Sequence, residues 1–313
     1  MTEPGDSARW PAVTVVVPTR GRPDLVRLAV EGVVAQRYDG PITCLVVHDQ
    51  EAPDESLTAL GRADRVVRVL RNDGDPGLSG SRNRGLDEVT TAFVASCDDD
   101  DSWLPDKVRL QVERLLADPG MHVVGAGIRL LMPEGRVVEW LGPDDVVTQT
   151  DLFTSRRKEL HSSTLLMRTE VFERVGRYDV ALPQSYAEDY EWLLRASRLG
   201  PIGVVRQPLA NIKKDGQSWF RERAEVVSEA LQHLLDTHPE LRASRRGHAR
   251  ILGQIAFAEA SLGHRAQGLR WARTALARWP LAPQAHLALV LLTTGADPRL
   301  LLRSARVVGR GLS

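Results

Sequence analysis

Four adjacent carboxylates, Asp98-Asp-Asp-Asp101, are the feature of this 313-residue sequence with the clearest chemical potential. They follow the apolar segment FVASC, which has the composition of a buried strand. Adjacent carboxylates repel one another, so their accumulation at a strand end requires a compensating positive charge. Mg²⁺ or Mn²⁺ can supply it, since both prefer carboxylate oxygens, and would also neutralise a departing diphosphate. The alternative is an acidic loop in which Asp101 or Ser102 caps the next helix.

Short apolar runs alternate with amphipathic helical stretches in the first part of the chain. The runs at 12–17, 42–47, 66–70 and 92–97 predict strands, and the stretches at 79–88 and 104–116 predict helices. This alternation is typical of βαβ units, so we expect an α/β fold with a mainly parallel sheet. Ligands of such sheets bind beyond the carboxyl ends of the strands.

Polar residues follow each of these four predicted strands. They are Pro18, Thr19 and Arg20 after the first, His48 and Asp49 after the second, Arg71, Asn72 and Asp73 after the third, and Asp98 to Asp101 after the fourth. We therefore expect these side chains to collect at one edge of the sheet, with acids behind three of the four strands.

The pattern changes along the second half. A strand pair at 123–138, a loop at 148–160, strands at 163–167, 202–205 and 209–212, and helices at 169–175, 187–199 and 218–238 are predicted. From 239 onward only helices are expected, at 247–262, 265–279 and 284–293. Their spacing and alanine content are similar to a tetratricopeptide repeat. We predict a first domain over 1–238 and a helical region over 239–313 that packs on it.

Charge is unevenly distributed. Lysine and arginine balance aspartate and glutamate at 41 each, yet from Arg242 onward twelve arginines face two acids. Arg299, Arg303, Arg306 and Arg310 recur at helical spacing. The basic region could contact an anionic membrane surface or a protein partner, or could be a solvated arginine face.

The cysteines and the N-terminal residues bear on the cellular compartment. Cys44 and Cys97 lie in apolar runs and are expected to be buried free thiols, as in a reducing environment. The first residues lack a basic segment followed by a long apolar one, so we expect no secretion signal. A cytoplasmic protein is predicted, with a peripheral position at the inner face of the membrane as an option.

Seven motifs occur in one order between 13 and 218: VVVPTRGR, LVVHDQ, GLSGSRNRGL, FVASCDDDDSWLP, HSSTLLMR, VGRYD and AEDYEWLLR. This succession resembles a family 2 glycosyltransferase of the GT-A fold. The resemblance implies a Rossmann-like α/β domain, here extended by C-terminal tetratricopeptide-like helices. It also implies a nucleotide-sugar donor and a divalent cation, Mn²⁺ or Mg²⁺.

The resemblance also implies roles for individual residues. Asp98 and Asp100 match the Asp-x-Asp motif at the metal, with Asp100 as the first candidate for direct ligation, and Asp189 matches the catalytic base. The residues implied to bind the nucleotide and donor are Pro18, Thr19, Arg20, Asp49, Arg82, Asn83, Asp98 and Asp99. Among them, Asp49 is implied to bind the nucleobase, usually uracil. The donor-sugar and acceptor region comprises Asp101, His161, Ser163 and Glu188.

The chemistry suits these roles. An inverting transfer needs a carboxylate to take the acceptor proton and a cation opposite it to take up charge on the diphosphate. We expect a UDP-sugar donor, a saccharide, lipid-linked or peptide acceptor, and no nucleic-acid partner. The alternative is an inactive transferase-like module that binds a nucleotide or, through its helices, a partner. A nucleotidyltransferase would need a glycine-rich, lysine-bearing loop where this chain has PTRGRP.

Simpler interpretations exist for single residues, and the sequence departs from the family pattern twice. Alone, Glu188 and Asp189 would be helix N-terminal acids, Asp49 a turn residue and Arg82 a surface arginine.

The first departure from the family pattern is His48, which replaces the first acid of an Asp-Asp pair. The segment KKDGQS at 213–218 lacks a histidine that many relatives carry, so either Asp215 reaches the metal, Lys214 contacts the diphosphate, or the site is more open.

Overall fold

The computed structural model describes residues 10–133, 135–214, 224–298 and 301. These residues form two compact units. The sheet unit contains the described residues within Met1–Thr148, Arg157–Val180 and Arg195–Asp215. The helical unit contains those within Gln149–Arg156, Ala181–Leu194 and Gly216–Ser313. The predicted domains, 1–238 and 239–313, divide the chain differently and stay a prediction.

Ten strands form one mixed sheet in the sheet unit. They are β1 (Val13–Thr19), β2 (Ile42–Asp49), β3 (Arg65–Asn72), β4 (Phe93–Ser96), β5 (Ser102–Trp103), β6 (Val123–Leu131), β7 (Val137–Trp140), β8 (Val146–Val147), β9 (Leu166–Arg168) and β10 (Ile202–Lys213). The order is β3-β2-β1-β4-β9-β6-β10-β5, with β7 beside β6 and β8 beside β10. The ladders joining β1 to β2 and β4, β2 to β3, and β6 to β10 are parallel. The α/β fold class is therefore confirmed.

Ten α-helices accompany these strands in the described part of the chain. They are α1 (Pro23–Val34), α2 (Leu78–Leu86), α3 (Lys107–Ala117), α4 (Gln149–Thr154), α5 (Val171–Val175), α6 (Glu188–Ala196), α7 (Ala224–Thr237), α8 (Arg245–Ser261), α9 (Arg265–Arg278) and α10 (Pro283–Thr294). No described helix is long and apolar enough to cross a bilayer.

Three of the strands that position the polar edge, β1, β2 and β4, are buried on both faces, whereas β3 exposes Val66, Arg68 and Arg71. Every residue of β1 is buried, as expected for a central parallel strand covered by helices. Pro23 begins α1, where its missing N–H costs nothing, and the helix buries Val26, Ala29, Val30 and Val33. Thr19 lies at the carboxyl end of the buried strand β1 and starts the polar edge.

The glycine-rich segment before and within α2 allows close backbone approach. Gly77 has φ +96°, a conformation that L side chains rarely adopt. A Cβ on Gly80 would lie 1.7 Å from the carbonyl oxygen of Asp75. Only glycine fits there, so the loop after β3 folds tightly onto the start of α2.

Three expectations about single segments were wrong. The predicted loop at 148–160 contains α4, which buries Leu152 and Phe153, and a 3-10 turn at Lys158–Leu160. The two short strands at 202–205 and 209–212 are one strand, β10, with irregular pairing around Pro208. The predicted strand at 163–167 is confined to Leu166–Arg168, because a 3-10 turn occupies Ser162–Thr164.

The helical unit is built on small residues. Gly268 of α9 faces α8 so closely that a Cβ would lie 3.2 Å from the backbone nitrogen of Ala260. Ala256, Ala272 and Ala275 are fully buried. The expected C-terminal helices are confirmed. Close approach of helix backbones at alanine and glycine explains their high alanine content.

Candidate active site

The carboxyl ends of β1, β2, β3 and β4 bring the predicted polar residues together. Thr19 Oγ1 donates a hydrogen bond of 2.8 Å to Asp99. Arg20 lies 3.4 Å from Asp49, and Asn72 donates to Asp49 at 3.0 Å. Residues separated by up to 80 positions therefore meet at this edge, as expected. Pro18 is buried within β1.

Asp49 is held by a dense set of donors. Its Oδ1 accepts from Asn72 Nδ2, Ser81 Oγ and the Gly77 N–H, at 3.0 to 3.2 Å. Its Oδ2 accepts from the Gly77 N–H at 3.0 Å and, more distantly, from Arg20. The carboxylate is thus fixed in orientation, and Oδ2 is the less heavily engaged oxygen.

His48 organises the neighbouring loop. Its ring nitrogens contact Glu51 Oε1 and the backbone N–H of Asp54, each at 3.2 Å. The side chain is almost fully buried. The histidine that replaces the first acid of the pair therefore has a structural role beside Asp49.

Asp98 is paired with a buried arginine. Arg82 Nη2 donates to Asp98 Oδ1 at 2.6 Å, and Ser162 Oγ donates to Oδ2 at 2.6 Å. Burial alone raises the pKa of Asp98, but Arg82, His161 and Ser162 together bring it below its usual value. Arg82 is 1% exposed, so the simpler interpretation of a surface arginine was wrong.

The next two carboxylates share one cation. Arg22 Nη1 donates to Asp99 Oδ1 at 3.0 Å and to Asp100 Oδ2 at 3.2 Å. Burial raises the pKa of Asp99 despite these bonds. Burial, followed by the charges of Asp98 and Asp99, raises the pKa of Asp100.

Asp101 lies deepest. Its Oδ2 accepts from Ser163 Oγ at 2.6 Å, and its Oδ1 from the Lys213 N–H at 3.1 Å. His161 Nδ1 lies 3.6 Å from Oδ2. Burial and then the charge of Asp98 raise the pKa of Asp101 well above its usual range. A cation at this position would remove that penalty.

Asp98, Asp101 and His161 form a group that could hold a metal ion. One potential ligand atom from each lies within 4.8 Å of the other two. Two carboxylates and an imidazole suit Mn²⁺, whereas Mg²⁺ prefers oxygen ligands throughout. Asp100 is not part of this group, and its role as a ligand stays a prediction. Asp215 and Ser218 lie outside the described residues.

The side chain of Asn83 forms hydrogen bonds with backbone atoms in this structure. Its amide group exchanges two hydrogen bonds, of 2.9 and 3.0 Å, with the backbone of Tyr178. The Arg82 guanidinium lies 5.4 Å from the centroid of the Tyr178 ring. The pair Arg82-Asn83 therefore couples α2 to the segment after α5, and a contact of Asn83 with a nucleotide stays a prediction.

Asp189 belongs to the helical unit, at the start of α6. Its Oδ1 accepts from Arg156 Nη2 at 2.8 Å and from the Tyr190 N–H at 2.7 Å. Its Oδ2 has no hydrogen-bond donor among the described residues. Glu188 beside it is buried. The preceding residues Gln184, Ser185 and Ala187 have positive φ angles, so the backbone entering α6 is strained.

The sequence analysis assigned no partner to three residues at these sites. Arg22 bridges Asp99 and Asp100, Ser162 holds Asp98, and Arg156 holds Asp189. Arg22 lies within the quoted motif VVVPTRGR and Ser162 within HSSTLLMR, so their motif positions were a usable signal. Arg156 lies in the segment predicted to be a loop, where nothing indicated its partner.

Known proteins resemble this chain over most of its length. An uncharacterized glycosyltransferase of Rickettsia felis is 25% identical over 199 residues, which are 61% of this chain and 32% of that protein. This chain thus spans about a third of that relative. The succinoglycan biosynthesis protein ExoO of Rhizobium meliloti is 26% identical over 302 residues, covering 92% of this chain and 82% of ExoO.

The fold is also shared with a solved structure. S. aureus TarS 1-349, in complex with UDP-GlcNAc, superposes with a TM-score of 0.60 at 17% identity, covering 94% of this chain and 91% of that one. A sequence profile described as Glycosyl transferase family 2 matches residues 14–175, which include Asp49, Asp98, Asp101 and His161. This chain therefore belongs to glycosyl transferase family 2.

Proposed function

We propose that this chain is an inverting glycosyltransferase that moves a sugar from a UDP-sugar to a hydroxyl group of a saccharide, lipid-linked or peptide acceptor. The observation that carries the proposal is the group Asp98, Asp101 and His161 at the carboxyl edge of the sheet. The complex of TarS with UDP-GlcNAc supports the donor, and the name of ExoO supports a saccharide acceptor. The free buried thiols Cys44 and Cys97 support the cytoplasm as the compartment.

A divalent cation would be held by Asp98, Asp101 and His161, with Asp100 as a further candidate ligand. When bound, it supplies positive charge to the diphosphate of the donor. The arginine and serine partners of Asp98 keep that carboxylate ionised and oriented. Ser163 contributes to both acids, because its Oγ accepts from the Asp98 N–H and donates to Asp101.

The nucleoside is assigned to the loops after β1, β2 and β3. Asp49 Oδ2 has the weaker set of donors and can accept an N–H from a uracil ring once Arg20, which is 66% exposed, moves aside. Thr19 and Arg22 hold the Asp99 carboxylate at the same edge of the sheet. A rigid carboxylate that accepts from the base discriminates against bases that offer no donor there.

Asp189 is assigned as the base. Its Oδ2 is open to take the proton of the acceptor hydroxyl, while Arg156 and the Tyr190 N–H hold Oδ1. As the proton moves to Oδ2, the acceptor oxygen forms a bond to the anomeric carbon. The bond from that carbon to the diphosphate oxygen breaks, and its electron pair leaves with UDP.

Calorimetric titration of UDP with and without Mn²⁺ tests the proposal. Wild-type protein should bind UDP more tightly with Mn²⁺, and Asp98→Asn should lose about tenfold or more of that affinity. Asp189→Asn is the matched control and should bind UDP and Mn²⁺ normally but fail to transfer sugar. If UDP does not bind with Mn²⁺ present, the proposal is wrong. Normal binding without transfer by wild-type protein across a donor panel would favour the inactive-module alternative.

A further inference from the structure

The exposed arginines of α8, α9 and the 3-10 turn before α8 form a group that pairs with no carboxylate among the described residues. Seven arginines of α8, α9 and the preceding 3-10 turn are exposed: Arg242, Arg245, Arg246, Arg265, Arg270, Arg273 and Arg278. None forms an ion pair with a carboxylate within the part of the chain that the structure describes. The acid Glu259 of α8 is 7% exposed and bonds Ser228 and His264. The described surfaces of α8 and α9 therefore expose arginines but no carboxylate side chain.

Part of this charge is concentrated at one end of the unit, which we call the basic end and define as Arg242, Arg246, Arg278, Trp279 and Leu281. The Arg246 guanidinium lies 5.1 Å from the centroid of the Trp279 ring. Burial, followed by the charges of Arg278 and then Arg242, lowers the pKa of His248 in α8. Both arginines are thus close to this histidine, and the start of α8 meets the end of α9.

The basic end also exposes apolar surface. Leu281, in the turn between α9 and α10, is 71% exposed, the largest value for a large hydrophobic side chain in the described part of the chain. Trp279 is half-buried beneath Arg246. In addition, Arg245 and Arg246 occupy the first turn of α8, where the helix dipole disfavours cations. An exposed leucine and arginines in the first turn of a helix do not stabilise the helical unit by themselves. Such features are expected where a surface contacts a partner.

We propose that the basic end docks this protein on the surface of an anionic phospholipid membrane. Arginines at the headgroup level, a tryptophan and an exposed leucine at the acyl boundary are the chemistry of a peripheral membrane contact. The phosphates of a nucleic acid would bind the arginines but would make no apolar contact with Leu281. The inference does not depend on the proposed transferase activity.

Vesicle co-sedimentation of the full chain tests it. Vesicles with about 30 mol % phosphatidylglycerol in phosphatidylcholine should bind the protein, and pure phosphatidylcholine should not. Arg242→Glu/Arg278→Glu should lose about tenfold or more in affinity, because two positive charges beside an anionic surface become negative. Leu281→Ser should weaken binding several-fold. Binding should fall as salt is raised.

The matched control is Arg265→Glu/Arg270→Glu, which makes the same change in net charge at exposed positions in the first half of α9, whereas Arg278 ends that helix. Arg265 begins α9 and Arg278 ends it, a separation of about 20 Å along the helix. Circular dichroism confirms that all variants fold. The proposal is overturned if the control loses as much affinity, if wild-type protein ignores phosphatidylglycerol, or if an oligonucleotide rather than vesicles binds in a way that depends on Arg242 and Arg278.

Discussion

At the scale of single residues, four identical side chains have four different environments. Asp98 is balanced by Arg82, Asp99 and Asp100 share Arg22, and Asp101 is buried with neutral donors beside a histidine. A run of aspartates therefore separates into an ionised carboxylate with a lowered pKa and a deep one with a raised pKa. This difference, rather than the number of acids, makes the edge suited to a cation.

Lys107 gives a residue-scale prediction about pH. Its side chain is fully buried, bonded to Gln111 at 2.7 Å and 3.9 Å from the centroid of the Trp103 ring. Burial lowers its pKa to about 7, although Cys97 opposes this. Between pH 7 and pH 10 the unfolded chain binds a proton that the folded one lacks, so stability contributed by this residue rises with pH by about 1.4 kcal/mol per unit.

Urea denaturation of wild-type protein and Lys107→Met at pH 7, 8 and 9 checks this prediction. Of these three pH values, the variant should be most stable relative to the wild type at pH 7, where about half of the folded wild-type molecules still hold a buried ammonium group. Between pH 7 and pH 9 the free energy of unfolding of the wild type should rise by roughly 2–3 kcal/mol relative to that of the variant. Parallel pH dependences for the two proteins would contradict the prediction.

At the scale of elements, α2 shows how a helix start builds a site. Ser81 and Arg82 on this helix bond Asp49, the last residue of β2, and Asp98, which follows β4. Their reach depends on the loop after β3 lying close to the helix, which Gly77 and Gly80 permit. The glycine-rich motif is therefore a structural requirement for the positions of two acids.

Gly80→Ala tests this requirement. The new Cβ would lie 1.7 Å from the carbonyl oxygen of Asp75, a backbone atom, so α2 must shift. We expect a loss of roughly 1–3 kcal/mol in the free energy of unfolding, with weaker binding of UDP and Mn²⁺. Gly74→Ala is the control, because its Cβ would make an ordinary contact of 3.5 Å. Equal stability of the two variants would show that the close approach is not required.

At the scale of the whole molecule, the helical unit is assembled from three separate stretches of chain. A Cβ on Gly247 of α8 would lie 1.7 Å from the Phe153 carbonyl oxygen of α4. Tyr190 of α6 donates to the Leu152 carbonyl oxygen at 2.6 Å, and Arg250 of α8 lies 3.4 Å from the Tyr190 hydroxyl. The segment that carries Asp189 thus packs on helices that follow residue 239.

A chain truncated after residue 238 tests this interdependence. Removing α8–α10 would expose the buried faces of α4, α6 and α7, so we expect aggregation and loss of cooperative unfolding, as measured by size-exclusion chromatography and thermal denaturation. The full chain is the control. A soluble, cooperatively folding fragment that binds UDP normally would instead support a domain boundary at 239.

The strands around the site and the order of its motifs followed from the sequence alone. Apolar runs of β-branched residues, each followed by polar ones, require only local patterning, and parallel strands bring their ends to one edge. For this reason the amino-acid pattern was sufficient to predict that Thr19, Asp49, Asn72 and Asp98 lie together. The C-terminal helices were equally predictable, because their period and alanine content are local properties.

Long-range packing decided the rest. The direction of β9, which runs antiparallel to both β4 and β6, depends on connections rather than on its three residues. His161 meets Asp101 across 60 positions, and Arg82 becomes buried only because Asp98, Ser96 and Tyr178 surround it. Such contacts arise when distant segments fold together, and no local period encodes them.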